Sequence, residues 1–297
     1  MAASPNFPKL PENWSEEFLS VQDQQVFVRL YRSKNLNQGR LFFLVHGQSE
    51  QSDRYEHFPH YLNGVVDTIA CVDLPGHGKS SGVRGHIENF DAYQTAVLEA
   101  FHASEKWMRQ QTGLCKAHWF GHSLGGLLTL RVLENVENLN LQSVTVSAPL
   151  LELAMPVPFL KSLFGRLIEP LFGSLRLGNE LNGDMISSDP SVGQEALRNP
   201  LNHQSVTPRF FVNLMKEMPL VRSFDGSFSY PILFVVPLAD QIVSWKATYA
   251  FFSKLKMKAG KSKILASFPQ FSHEAFNEIG KERAFNALAD WLLQNSK

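Results

Sequence analysis

One five-residue stretch limits what this chain can fold into more than any other. Gly121-His122-Ser123-Leu124-Gly125 fits the pattern G-x-S-x-G. It lies between a strand-like apolar run (117–120) and a helix-like stretch that opens at Ser123. Small residues on either side let the backbone turn sharply from strand to helix and hold the serine hydroxyl clear of the sheet. The helix N-terminus then brings unpaired backbone N–H groups beside that hydroxyl, where negative charge is stabilised. A turn of this kind needs a buried strand before it and a helix after it, which points to an α/β architecture. The bland alternative is a glycine-rich turn with no chemistry, so the flanking pattern has to decide.

That pattern alternates. Residues 17–32 read as two strands about the turn Asp23-Gln24. Apolar runs at 41–45 and 68–72 close on His46-Gly47 and on Asp73-Leu74-Pro75-Gly76. Continuous apolar runs bounded by turn residues suit strands buried on both faces. A helix is predicted over 53–62. A longer one is predicted over 89–111, where Phe90, Tyr93, Val97, Phe101, Trp107 and Met108 recur on one face and Gly113 follows the end. Strands at 117–120 and 144–147 flank the helix that opens at Ser123. The alternation stops at Pro149 and resumes with a strand (231–236), a helix (245–257), a strand (264–267) and a helix (274–293). Strand–helix alternation predicts a mostly parallel sheet with helices on both faces. The interruption predicts an inserted unit: residues 1–149 and 229–297 form the core, and 150–228 form a helical insert with no convincing strand.

Composition narrows the function classes. The 297 residues carry 28 Lys plus Arg against 28 Asp plus Glu, and 44% are hydrophobic. Such a chain is too apolar to be disordered, and its zero net charge gives no electrostatic reason to expect nucleic acid. The first 20 residues are polar and hold Pro5, Pro8 and Pro11, unlike a secretory signal. No run reaches the roughly 18 apolar residues of a spanning helix. Cys71 and Cys115 lie in strand-like runs and read as buried thiols. The expected location is the cytoplasm, with peripheral contact to the inner face of a membrane as an option. Phe is abundant at 23 against 6 Tyr, which makes the interior or some surface greasy.

A serine nucleophile needs a base to take its proton and a carboxylate to orient that base. In a strand–turn–helix setting of this type the chain order is serine, acid, histidine. Asp240 follows the 231–236 strand and His273 follows the 264–267 strand, so all three sit at one edge of the sheet. Taken alone, Asp240 suits a helix cap and His273 a surface position; the joint order favours a triad. An oxyanion needs two donors. The Leu124 N–H follows the nucleophile, and the Gln48 N–H follows His46-Gly47 at the end of another strand.

On these residues the chain resembles the α/β-hydrolase superfamily, in the branch of bacterial lysophospholipases, monoglyceride lipases and serine aminopeptidases. The matching segments are LVHGQSE (44–50), DLPGHGKSSGVRGHIENFDAY (73–93), GHSLGG (121–126), ISSDPSVGQEALRNPLNH (186–203), ADQIV (239–243) and FSHEAFNE (271–278). The resemblance implies Ser123, Asp240 and His273 as a triad, Gln48 and Leu124 as oxyanion donors, and a helical cap over the site. Two positions depart from the branch's pattern. Pro237 stands where relatives carry glycine shortly before the acid, and Phe268-Pro269-Gln270-Phe271 is a bulkier approach to the histidine.

Other motifs carry less. Gly78-Lys79-Ser80 resembles the tail of a phosphate-binding loop, but Asp73 stands where that loop needs glycine. Gly76-x-Gly78 begins a dinucleotide fingerprint that Ser81 ends. His57 and His60 lack a second ligand cluster, so neither metal nor organic cofactor is expected. His86 reads as a loop brace. In the insert, Phe159, Leu160, Leu163, Phe164, Leu167, Ile168, Leu171 and Phe172 form a wide apolar stripe. It suits a cap helix packed on the core, or an acyl-tunnel lining and membrane-surface contact. Phe159, Leu163 and Phe164 are the candidate substrate contacts. The expected activity is carboxylesterase action on a single-chain lipid, lysophospholipid or monoacylglycerol. A small-ester esterase, and an aminopeptidase using Glu152, Glu169, Glu180 or Asp184, are alternatives. A non-catalytic binding protein is a third, disfavoured by the intact triad.

Overall fold

The computed structural model describes residues 10–21, 25–35, 38–155, 167–178 and 182–296. Eight strands form the main sheet: β1 (Trp14–Val21), β2 (Val26–Ser33), β3 (Arg40–Val45), β4 (Thr68–Asp73), β5 (Lys116–His122), β6 (Leu141–Ser147), β7 (Ile232–Pro237) and β8 (Lys263–Phe268). Their order is β1-β2-β4-β3-β5-β6-β7-β8. β1 pairs with β2, and β2 with β4, in antiparallel fashion; every other neighbouring pair is parallel. The predicted turn at Asp23-Gln24 lies outside the described residues.

Two apolar layers explain the strand pattern. Every residue of β3, β4 and β7 is buried. On one face, Phe43, Val45, Trp119 and Val146 pack with residues of α2 (Phe90–Thr112) and α3 (Leu124–Asn135). On the other, Phe42, Leu44 and Phe120 pack with α1 (Phe58–Tyr61) and the C-terminal helix, through Phe58, Phe285 and Trp291. Because successive side chains alternate faces, a strand covered on both sides loses its polar alternation and reads as one apolar run. Truncating a core ring such as Phe42 to alanine is expected to cost about 3–5 kcal/mol. Helix α2 starts at a cap, the Asn89 side chain accepting from Ala92 N at 2.9 Å, and stops at Gly113, whose φ of 79° suits glycine. Both cysteines are buried and free.

Between β6 and β7 the described chain adds no strand to this sheet. Residues 167–172 are helical. They are followed by α4 (Gly183–Ile186), α5 (Pro190–Arg198) and α6 (Pro208–Ser223). Two tiny pairings differ from the strandless expectation. Leu177–Gly178 pairs with Ser205–Val206, and Ser227–Phe228 pairs with Lys256–Met257. The second one shortens a predicted helix: α7 spans Trp245–Lys254 and gives way to the strand pair.

Two other helices also differ. The expected helix over 53–62 is a 3₁₀ turn (Ser52–Tyr55) followed by the single turn of α1. Here Ser52 N donates to Asp73 Oδ1 at 2.8 Å, and Pro59 has no N–H to continue a ladder. The C-terminal helix, α8, begins at Glu282 and runs to Gln294, well past the predicted start at residue 274. Gly280 at φ 80° breaks the approach, and the Glu278 carboxylate takes N–H groups from Ser272 (2.7 Å) and Ser188 (3.0 Å). Among the described residues no helix is long and apolar enough to cross a membrane.

Candidate active site

Ser123 stands between β5 and α3 at φ 51° and ψ −114°. A non-glycine residue there is strained, at a cost on the order of 1–3 kcal/mol, and persists only where the surroundings enforce it. They do so through the backbone. Ser123 N donates to Ser147 O at 2.9 Å, and Ser123 O accepts from both Leu127 N and Leu150 N at 3.0 Å. The flanking glycines are obligatory. A Cβ at Gly121 would lie 2.3 Å from Thr129 Oγ1, and one at Gly125 only 2.1 Å from Val45 O.

Asp240 follows β7. Its Oδ1 accepts from Ile242 N at 2.8 Å and Val243 N at 2.9 Å, while its Oδ2 accepts from His273 Nδ1 at 2.8 Å. The carboxylate is thus aimed by two amides before it meets the imidazole. Pro237 does not disturb this turn. It ends β7, and the next two amides, Leu238 and Ala239, donate to Phe268 O and Phe271 O at 3.0 Å each. The bulky approach to the histidine is ordered by ring packing, Phe268 stacking on Phe271 with centroids 5.0 Å apart.

Burial opposes charging of His273, but the Asp240 charge and hydrogen bond, with Glu274 and Glu50 nearby, outweigh it and raise its pKa above the ordinary value. With Nδ1 bonded to Asp240, Nε2 is the nitrogen available to accept a proton. Ser123, His273 and Gln48 line one cavity of about 990 Å³ counted out to its open mouth. Asp240 stands behind His273 and Leu124 beneath Ser123; both are buried. The loop that carries Gln48 passes close to the serine, since a Cβ on Gly47 would lie 3.1 Å from Ser123 Cβ. His122 lies beside the base, its ring 4.8 Å from that of His273. Burial, then the neighbouring His273, pushes its pKa down to about 3.

The far wall is apolar and comes from the insert: Ile186, Leu197, Val206, Phe210, Phe211 and Leu214. The contacts expected at Phe159, Leu163 and Phe164 lie outside the described residues. Leu160 lies outside them too, and of the described remainder Ile168 is half-buried while three residues stand in solvent. Leu167, Leu171 and Phe172 are 67%, 82% and 56% exposed. Phe210 and Leu214, one helical turn apart on α6, carried a usable signal that the longer stripe obscured.

A second group was not anticipated. The Arg54 guanidinium is fully enclosed and pairs with Glu195 of α5, with Glu274 beside the base, and with Glu50 at 3.3 Å. Glu50 also accepts from Tyr55 Oη at 2.9 Å and from Gly47 N. Burial and the Glu274 charge push the Glu50 carboxyl up. Glu274 is held low, because Arg54 and His122 outweigh its burial. The polar run Glu50-Gln51-Ser52-Asp53-Arg54 gives no sequence sign that this pair is internal.

His57 is no ligand. Its Nε2 lies 3.0 Å from Phe276 O, and its ring packs edge-on to Phe58 and Phe285. His86 braces its loop between Thr207 Oγ1 (3.0 Å) and Glu88 (3.1 Å).

Comparison with known proteins identifies the family. A family model described as "Serine aminopeptidase, S33" (Hydrolase_4) matches residues 36–280. The phospholipase YtpA of Bacillus subtilis is 25% identical over 247 residues, covering 82% of this chain and 91% of that protein. An abhydrolase domain-containing protein of Dictyostelium discoideum is 26% identical over 259 residues, covering 86% of this chain; the chain spans about a quarter (26%) of that longer protein. A soluble variant of the monoglyceride lipase of Saccharomyces cerevisiae, solved with a substrate analog, superposes with a TM-score of 0.82 at 16% identity, over 98% of this chain and 99% of that one. With the sheet order, the strained serine turn and a family match across most of its length, the chain belongs to the serine aminopeptidase S33 family of α/β-hydrolases.

Proposed function

We propose that this protein is a serine carboxylesterase that hydrolyses single-acyl-chain lipids, lysophospholipid or monoacylglycerol, through an acyl-enzyme on Ser123. One observation carries the reading. The Asp240–His273 hydrogen bond of 2.8 Å and the strained Ser123 turn converge on a cavity whose opposite wall is apolar. His273 Nε2 takes the Ser123 proton as Oγ attacks the ester carbonyl. Asp240 holds the imidazole in the required tautomer and stabilises its cation. The Gln48 and Leu124 N–H groups bind the tetrahedral oxyanion. His273 then protonates the leaving alcohol, and water activated by the same nitrogen releases the fatty acid.

Residues 150–228 act in this reading as a cap that selects an apolar chain, each buried CH₂ adding about 0.8 kcal/mol. The exposed Leu167, Leu171 and Phe172, with Leu175 and Leu177, supply apolar area for contact with a membrane surface. The names of the matched phospholipase and monoglyceride lipase support a lipid ester as substrate. Peptidase action is less well supported. Of the four acidic residues expected to hold a free amino terminus, Glu180 lies outside the described residues, Glu152 pairs with Arg222, Glu169 pairs with Arg209, and Asp184 sits in the first turn of α4 with its N–H on the Asn182 cap; none of these three lines the cavity, and the carboxylates that do, Glu50 and Glu274, are taken by Arg54.

A fluorophosphonate probe is expected to label the wild-type protein and not Ser123→Ala; labelling that persists in the variant sinks the nucleophile. A panel of graded p-nitrophenyl esters, monoacylglycerol, lysophosphatidyl lipids and a Pro-peptide amide then assigns the substrate. An optimum at about two to four carbons, where little CH₂ area is buried, defeats the lipid reading.

A further inference from the structure

His46 is wholly enclosed at the end of β3, and both of its ring nitrogens are engaged. Leu74 N lies 3.0 Å from Nε2 and has only a proton to give, so Nε2 must present its lone pair. Burial lowers the imidazole's pKa, so the ring stays neutral. Its single proton therefore sits on Nδ1, and Nδ1 donates to Gly47 O at 2.7 Å. That oxygen is one end of the Gly47–Gln48 peptide group. The other end is the Gln48 N–H.

In a planar trans peptide the C=O and N–H point in opposite directions. Holding the oxygen on the His46 side therefore aims the Gln48 N–H away from it. Donation to a carbonyl also polarises the amide and strengthens its N–H as a donor. Such a restraint matters at a turn whose backbone is not set by a bulky side chain. Residue 47 has no side chain, and Ser49 sits at φ 68°. The preceding peptide is held in a parallel way, with Gly47 N donating to the Glu50 carboxylate. Two successive peptide planes are thus each held by one buried side chain. His77 adds a third restraint from outside, its Nε2 lying 3.2 Å from Gln48 Oε1.

We propose that His46 is a positioning residue for hydrolysis: through the Gly47–Gln48 peptide it orients and polarises the Gln48 N–H as an oxyanion donor. This rests on the reading of Gln48 and Ser123 given above. It assigns His46 no contact with substrate.

Isosteric variants separate the two bonds of the ring. His46→Asn keeps a donor near the Nδ1 position and loses the acceptor for Leu74. His46→Gln keeps an acceptor near Nε2 and loses the donor to Gly47. On a soluble p-nitrophenyl ester, His46→Gln is expected to lower kcat about 10- to 100-fold, part of the effect of deleting an oxyanion donor, with KM within about threefold. His46→Asn is expected to stay within about threefold of wild type. A histidine that only anchors the Leu74 loop gives the reverse order. Equal losses in the two variants, or wild-type kcat in His46→Gln, overturn the proposal.

If neither variant folds, the tautomer in the wild-type protein decides. Two-dimensional ¹H–¹⁵N spectra are expected to show His46 as the neutral Nδ1–H form at neutral and alkaline pH, and an Nε2–H form overturns the assignment. Ser123→Ala is measured in parallel. Turnover that survives there refutes the proposed function itself. Loss there with wild-type kcat in His46→Gln refutes only the role of His46.

Discussion

The edge of the sheet and the segment between β6 and β7 are held by different kinds of bond. At the edge, backbone groups fix the side chains proposed to react. Ser123 is pinned by Ser147, Leu127 and Leu150, and Asp240 by the amides of Ile242 and Val243. Between its two ends, the described part of the segment over the site (167–178 and 182–223) is joined to the core largely by side chains. Arg54 meets Glu195, Arg209 meets Glu88, His86 meets Thr207, and Ser188 meets Glu278. Within that stretch two backbone links supplement them, Thr207 N to Gly85 O at 3.0 Å and Glu274 N to Ile186 O at 2.9 Å; at its two ends the segment is also tied by backbone, Ala154 N to Ile242 O at 2.9 Å, Ser244 N to Glu152 O at 2.8 Å and Lys258 N to Phe228 O at 2.9 Å. Backbone bonds survive most substitutions, because every residue but proline can make them. Side-chain joints fail one substitution at a time. The chemistry should therefore be robust to changes that loosen the cap, and the cap should be open to adjustment without loss of the sheet.

The largest test removes chemistry and leaves structure. Ser123→Ala is expected to cut kcat on the order of 10⁶-fold, the scale seen when a serine nucleophile is deleted elsewhere. Its Tm should stay within a few degrees, since the hydroxyl carries none of the backbone bonds that pin the turn. A Tm collapse in circular dichroism would mean that the edge depends on the side chain after all. The next largest acts on the joint between the regions. Arg54→Ala leaves Glu274 and Glu50 buried without their cation, a loss of about 3–5 kcal/mol by the usual cost of orphaning a buried charge. Thermal melting should drop by roughly 10 °C. An unchanged Tm would show that the carboxylates take up protons or water cheaply, and that Arg54 does not join the two regions.

The same contrast explains what could be read without coordinates. The placement of Ser123, Asp240 and His273 at one edge of the sheet was legible because each follows a locally encoded strand; burial on both faces writes the strands before Ser123 and Asp240 as apolar runs, while β8, before His273, is a partly exposed edge strand. Gly121 and Gly125 are there because no Cβ fits. Helix boundaries were less legible where tertiary bonds override local pattern: residues 274–281 look helical, yet Glu278 spends its carboxylate on Ser188 and Ser272. The Arg54 cluster was missed because arginine and glutamate normally signal a solvated surface. The apolar stripe at 159–172 drew attention away from α6, whose Phe210 and Leu214 face the cavity. Only the three-dimensional docking of the insert decides which apolar face covers a site.

The pH profile probes how the edge tunes its base. Asp240 raises the His273 pKa against the effect of burial. In the proposed mechanism the neutral imidazole is the active form, so kcat/KM should rise with pH through an apparent pKa above about 6.5, falling up to tenfold per unit on the acid side. Asp240→Asn removes the charge that favours the cation, so the remaining activity should show its acid limb at lower pH. A limb that stays in place would mean that Glu274 and Glu50, across the joint, set the base instead.

The smallest effect is the most discriminating. Glu195 reaches Arg54 from α5 and is a quarter exposed (25%), so solvent screens its pair with the guanidinium. Arg54 keeps Glu274 and Glu50 when Glu195 is neutralised, so no buried cation is orphaned. Glu195→Gln should therefore cost no more than about 1 kcal/mol and shift Tm by only about 2–4 °C. What it should change is local opening. Amide hydrogen exchange in α5 is expected to speed up several-fold, while β5 and α3, bonded through the backbone, keep their protection. If exchange in β5 and α3 accelerates as much as in α5, the insert opens only when the sheet does, and the distinction between a backbone-held edge and a side-chain-held cap is wrong.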